Sequence, residues 1–174
     1  RLLVYISGHG FKKDGEPYFL LNHTKIDRLL STSLPMREIY RLVNFIPVNH
    51  QLWLIDACFS GELLFREKGF TSLTDEIVCK QSIIGICSSL RKQTSLEDSG
   101  NSIFTRAIIE VLESFRKNTN PSFIKNTNTY FTVHEFFHEI RRIVYHYASE
   151  LNNSVQIPVM GDLKQGNEGT YLFE

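Results

Sequence analysis

A histidine and a cysteine, each just past a short apolar run and each followed closely by glycine, are the residues of this chain best suited to chemistry. Leu2-Leu3-Val4-Tyr5-Ile6 leads into Ser7-Gly8-His9-Gly10, and Leu52-Trp53-Leu54-Ile55 leads into Asp56-Ala57-Cys58-Phe59-Ser60-Gly61. A thiol works as a nucleophile when a base stands beside it in a cleft that excludes water, and imidazole is the most frequent base. A lone strand cysteine is ordinarily a small buried hydrophobe, and a lone histidine a satisfied polar residue. Two such residues at equivalent places, beside glycines that let backbone N–H groups approach a ligand, read instead as a Cys-His pair.

The elements around them must bring the pair together. Both runs are β-branched and aromatic, too short for a helix and closed by glycine, so each reads as a buried strand. Strands apolar on both faces imply a parallel sheet covered by helices on each side. Ligands bind such sheets at the carboxyl ends of the strands, where His9 and Cys58 both project. Lys12 to Pro17 reads as a turn cluster before a short strand at Tyr18 to Leu21. Ser33 is placed to cap a helix from about Leu34 to Phe45, which Pro47 ends. A brief helix follows Ser60-Gly61 through Phe65, then a polar connection over 68–81, a strand over Ser82 to Cys87, and a polar loop over 89–100. A helix over about Ser102 to Arg116 buries Ile103, Phe104, Ala107, Ile108, Val111, Leu112 and Phe115. Asn118 to Asn128 is a polar loop.

Taken together, the two motifs resemble those of the caspase-like cysteine peptidases, the caspase-haemoglobinase fold. Ser-Gly-His-Gly is similar to that family's histidine motif. Asp-Ala-Cys-Phe-Ser-Gly departs from the animal caspase pattern of Gln-Ala-Cys and is similar to metacaspases, paracaspases and prokaryotic caspase homologues. Ser88-Ser89, Thr94 to Gly100 and Ile103-Phe104-Thr105 resemble the substrate-loop region of the prokaryotic members. Gln156 to Val159 and Gly169 to Phe173 resemble their closing strands. The implied fold is α/β: a three-layer sandwich with a mostly parallel central sheet flanked by helices. The implied activity is that of a thiol endopeptidase with Cys58 as nucleophile and His9 in acid–base catalysis. Backbone N–H groups of Gly10 and Cys58 would form the oxyanion hole. In the relatives with aspartate two residues before the cysteine, that residue lines the S1 pocket. Asp56, with Glu97 as a further carboxylate, would therefore select Arg or Lys at P1. No cofactor is implied. Some metacaspases need calcium, but Phe65 stands where they tend to carry an acidic ligand.

Composition sets the bounds. With 174 residues, 42% hydrophobic and 12% aromatic, the chain can bury one sizeable core as a single domain, which the resemblance makes a peptidase domain over 1–174. Net charge is zero and basic residues are scattered, which gives no footprint for nucleic acid or an anionic membrane. No apolar stretch reaches transmembrane length. Cys58, Cys79 and Cys87 lack a disulfide framework, pointing to reduced thiols and a cytoplasmic location. The fold that the chain resembles has two strands and a helix ahead of the first run. The expectation is that this is the C-terminal major part of a longer protein, completed by an N-terminal segment, sensing domain or partner. By analogy alone, the prokaryotic relatives imply a defence or regulated cell-death pathway with protein substrates.

One motif competes. His134-Glu135-Phe136-Phe137-His138 is a literal His-Glu-x-x-His, the zinc-peptidase signature. Val133, Phe136, Phe137, Ile140, Ile143, Val144 and Tyr147 form an apolar stripe, and at about 100° per residue both histidines fall opposite it, toward solvent. A zinc peptidase is thus the weaker enzymatic alternative. A catalytically silent caspase-like scaffold is the non-enzymatic one.

Overall fold

A computed structural model describes residues 1–64, 66–67, 80–89, 97–98, 101–117, 131–151, 155–164 and 168–173, with only the backbone described at 66, 67, 97, 98 and 101. The sequence expectations for Phe65, most of the 68–81 connection, Cys79, Thr94 to Leu96, Ser99-Gly100 and the Asn118 to Asn128 loop fall outside these residues.

The central sheet is built on the two apolar runs. Strands β1 (Leu2–Ser7) and β5 (His50–Asp56) pair in parallel, and β5 pairs in parallel with β7 (Ser82–Cys87). Strand β11 (Val159–Asp162) adds antiparallel to β7, and the short β6 (Arg66–Glu67) adds antiparallel to β11. The order is β1-β5-β7-β11-β6, so four strands run one way and only β11 opposes them. Helices α3 (Ile103–Arg116) and α4 (Val133–Glu150) cover one face, packing Phe104, Val111, Phe136 and Ile140 on Leu52, Leu54, Ile84 and Ile86. Helix α2 (Glu38–Phe45) covers the other, packing Ile39 and Val43 with Trp53, Ile55 and Ile83. This is the three-layer α/β sandwich with a mostly parallel sheet that the strand patterns imply.

Local chemistry explains the helix boundaries. Ser102 accepts from the Phe104 and Thr105 N–H groups at the start of α3. Thr132 and Glu135 form a reciprocal capping box at the start of α4. The α2 carbonyl of Val43 and those of Ile46 and Val48 just beyond meet the side-chain amide of Gln51, which is fully buried on β5 and in turn accepts from the Trp53 indole N–H. Among the described residues no helix is long and apolar enough to cross a membrane.

Four expectations need correction. Strand β1 is not buried on both faces: among the described residues it is an edge of the sheet, and Leu3 and Tyr5 are 42% and 43% exposed, because the core under α3 and α4 is built on β5, β7 and β11 and takes in no residue of β1. The helix expected from Leu34 begins only at Glu38. Leu34–Pro35 instead pairs as β4 with β3 (Glu16–Phe19), and Ser33 closes a one-turn helix, α1 (Leu29–Thr32). The turn expected over Lys12 to Pro17 narrows to Asp14-Gly15, both at positive φ, which is the two-residue hairpin signal. Strand β2 (Gly10–Lys13) therefore runs up to the turn and pairs with β3. Leu112 is 37% exposed and drops out of the buried stripe of α3. The closing segment over Leu172–Phe173 is β12, which pairs with β10 (Phe131–Thr132) in a separate ribbon.

Removing the cap tests this account of α4. Thr132→Ala is expected to lower unfolding stability by about 1 kcal/mol, measured by urea denaturation with the urea dependence unchanged.

Candidate active site

The register of β1 on β5 places Ser7 opposite Asp56, so His9 and Cys58 each lie two residues beyond the same point. The Gly8 N–H donates to the Asp56 carbonyl at 3.1 Å, carrying the pairing one residue past the strand. His9 is exposed and Cys58 half-buried.

Gly10 locks the two turns together. A Cβ at this position would sit 2.2 Å from the Cys58 carbonyl oxygen and 3.0 Å from the Cys58 nitrogen. Only glycine permits that approach. The hairpin phase adds a second consequence. Leu20 N–H donates to the His9 carbonyl, and the Gly10↔Phe19 pair comes next in the ladder. Hydrogen-bonded and non-hydrogen-bonded pairs alternate in antiparallel strands, so the Gly10 N–H points away from β3. Lys12 Nζ meets Glu62 Oε1 at 2.5 Å, tying β2 to the turn that follows Cys58.

The cysteine turn is shaped by its backbone. Phe59 is held at φ 65°, ψ 5°, the left-handed region that a bulky residue seldom enters, at a cost of about 1–3 kcal/mol. The chain thereby turns sharply out of β5 into a 3₁₀ turn over Ser60–Leu63. The Ala57 carbonyl accepts from the Ser60 N–H and the Ser88 hydroxyl, and the Ser88 carbonyl accepts from the buried Gln156 amide. Tyr40 on α2 donates to the Leu63 carbonyl at 2.6 Å. These contacts over-determine the turn from three sides, which is how a strained residue persists.

Cys87 lies fully buried on β7, where burial pushes its thiol up to about 12, only partly offset by the Ser60 hydroxyl. It is inert at neutral pH. Cys58 is the thiol set at the strand ends.

Asp56 is 3% exposed, and Thr105 Oγ1, in the first turn of α3, donates to its Oδ2 at 2.5 Å. Tyr5 OH lies 2.6 Å from the same hydroxyl. Glu97 lies in β8 (Glu97–Asp98), where its backbone pairs with Ser102, the N-cap of α3, in β9 (Asn101–Ser102). Both acidic positions thus border the start of one helix. The loop expected over 89–100 carries this two-residue strand. The sequence shows neither the partners of Tyr5, Thr105, Ser88 and Gln156 nor the Lys12–Glu62 pair. Each acts across 31 to 100 residues, with no local spacing to signal it.

The zinc-like motif is accounted for by helix-start chemistry. Glu135 Oε2 accepts from both Thr132 N–H and Thr132 Oγ1, at 2.7 and 2.9 Å, so its carboxylate is engaged as a cap. His138 is 79% exposed in its side chain, whereas His134 is half-buried rather than open to solvent. Among the described residues no group of three or more His, Cys, Asp or Glu side chains is arranged to hold a metal ion.

Comparison with known proteins bears on the family and the fold. The Caspase domain family model matches residues 1–164. Among solved structures, the crystal structure of caspase-1 from Spodoptera frugiperda is similar at a TM-score of 0.50 and 17% identity. That alignment covers 92% of this chain and 59% of the caspase-1 chain, and at this identity it speaks to the fold alone. A search of curated proteins finds no match.

Gly10→Ala isolates the contact between the two turns. The added methyl group forces the His9 and Cys58 turns apart, and peptide cleavage is expected to fall at least about 100-fold. Gly8→Ala, where a Cβ meets nothing within 4 Å, is the control and should retain most activity in the same peptide assay.

Proposed function

The chain belongs to the caspase domain family, and from that premise we propose that it is a cysteine endopeptidase acting through a Cys58–His9 dyad, with cleavage after a basic P1 residue. The fold is that of the caspases, and the family supports cysteine peptidase activity generally. The observation that carries the finer reading is the backbone contact of Gly10 on Cys58, which joins two motifs 49 residues apart at adjacent strand ends.

In this reading His9 takes the Cys58 thiol proton, and the Sγ attacks the scissile carbonyl carbon and forms a tetrahedral oxyanion. Gly10 and Cys58 N–H groups stabilise it; the outward phase of the Gly10 N–H supports that role. Collapse breaks the C–N bond, and His9 gives its proton to the leaving amine. Water then attacks the thioester, with His9 taking its proton, and the acid product leaves as the thiol re-forms. Asp56, two residues before Cys58, and Glu97 supply carboxylates for an Arg or Lys side chain. A buried carboxylate favours a cation and penalises an acidic P1 group, and a guanidinium can bind it bidentately.

The wider assignments follow the same resemblance. An aspartate two residues before the cysteine is similar to the prokaryotic, metacaspase and paracaspase pattern rather than the animal caspase one. The enzyme would act in the cytoplasm on protein substrates, without a metal or organic cofactor. Its place in defence or cell death rests on analogy of fold. The open edge of β1, with Leu3 and Tyr5 exposed beside it, supports an N-terminal segment or partner that adds to the sheet. Slower amide exchange in β1 of a longer form than in residues 1–174 is the expected sign, and equal exchange would count against it.

The catalytic test is a peptide panel varied at P1. Cys58→Ala is expected to abolish cleavage, and His9→Ala to reduce it by at least about 10²–10⁴-fold. Cys87→Ala should leave the chemistry intact. Asp56→Ala should lose the preference for P1 Arg. Full activity of Cys58→Ala, or a preference for P1 Asp in the wild type, would overturn the assignment. Absence of turnover on every peptide would point to the scaffold alternative.

A further inference from the structure

We propose that Thr105 and Tyr5 are positioning residues that hold the Asp56 carboxylate for a cationic P1 side chain. P1 selectivity would then depend on a helix and an edge strand outside both catalytic motifs. This inference rests on the reading of Asp56 as a pocket carboxylate.

Three elements meet at this point. Asp56 ends β5, Thr105 lies in the first turn of α3, and Tyr5 lies on the exposed face of β1. The Thr105 hydroxyl is 2.5 Å from Asp56 Oδ2 and 2.6 Å from the Tyr5 hydroxyl. Either hydroxyl could donate in the Tyr5–Thr105 contact taken alone. The carboxylate removes the ambiguity. An ionised carboxylate only accepts, and a threonine hydroxyl has one proton. Thr105 therefore gives its proton to Asp56, and Tyr5 must donate to Thr105. The result is a directed chain, Tyr5 O–H to Thr105 O–H to Asp56, in which each bond polarises the next.

That chain has work to do because Asp56 is only 3% exposed. A buried carboxylate without donors is costly and free to turn about its own torsion. A bond to Oδ2 fixes the torsion and leaves Oδ1, with the second lone pair of Oδ2, to receive a guanidinium. The first turn of α3 also places partial positive charge beside the carboxylate, with Ser102 already engaged in capping that turn. A positioning role predicts an effect on P1 recognition that a bond serving stability alone would not produce.

The experiment measures kcat and KM for peptides with P1 Arg, Lys and Ala in wild type, Thr105→Val, Thr105→Ser, Tyr5→Phe and Asp56→Ala. Alkylation of Cys58 by iodoacetamide gives a readout that needs no P1 pocket, and a thermal melt checks folding. Thr105→Val is expected to raise KM for P1 Arg by about tenfold, the loss of one hydrogen bond to a charged group. Its kcat should stay within about threefold and its alkylation rate should not change. Thr105→Ser should restore the wild-type KM, and Tyr5→Phe should raise KM by about two- to threefold. An unchanged KM in Thr105→Val, with the Arg preference lost in Asp56→Ala, overturns the relay and leaves the pocket reading standing. An Arg preference kept in Asp56→Ala overturns the pocket reading and the relay with it. If Thr105→Val does not fold, Tyr5→Phe decides: a wild-type KM there overturns the relay.

Discussion

Everything at the candidate site depends on a backbone-to-backbone contact that tolerates no side chain. Gly10 lies so close to the Cys58 peptide that a methyl group would fall 2.2 Å from its carbonyl oxygen. This contact carries the strand register on into the two turns that hold His9 and Cys58. Parallel pairing of β1 and β5 brings the two chain segments level, but pairing alone stops at Ser7 and Asp56. Beyond that point the turns could diverge. Glycine keeps them in touch, and the Lys12–Glu62 ion pair spans the same gap.

The surroundings show what it takes to hold such turns still. Phe59 occupies a backbone conformation that disfavours it, and the cost is offset by packing and by hydrogen bonds from Ser88, Tyr40 and the local 3₁₀ turn. Two buried polar groups near the site are paired through specific partners: Asp56 with Thr105, and Ser88 with Gln156. A paired buried network is rigid because any rotation leaves a group without its partner, at about 1–3 kcal/mol. The buried thiol of Cys87 contrasts with this arrangement. Cys87 sits in apolar surroundings that keep it protonated, and Cys79 has no motif around it.

The uneven cover of the sheet matters as much as its core. Strands β5 and β7 are enclosed on both faces, whereas β1 keeps Leu3 and Tyr5 open beside α3. Tyr5 is therefore both a surface residue and a contact of Thr105. Two hydrogen bonds in series thus link the edge of the sheet to the carboxylate beside the cysteine.

Local chemistry made much of this legible in the amino-acid order alone. Short apolar runs marked β1, β5 and β7. Helical periodicity marked α3 and α4, and the two motifs placed His9 and Cys58 at like positions past two strands. These features depend on neighbours within a few residues, so sequence suffices for them. It also fixed Gly10 as a site for close approach without showing what approaches. The tertiary structure decided the rest. Leu34 and Pro35 became a strand because β3 offered them a partner, although helix signals surrounded them. Asp56 met Thr105 across 49 residues and Thr105 met Tyr5 across 100. Which distant segments touch is set by how helices pack on the sheet, and no spacing along the chain encodes that.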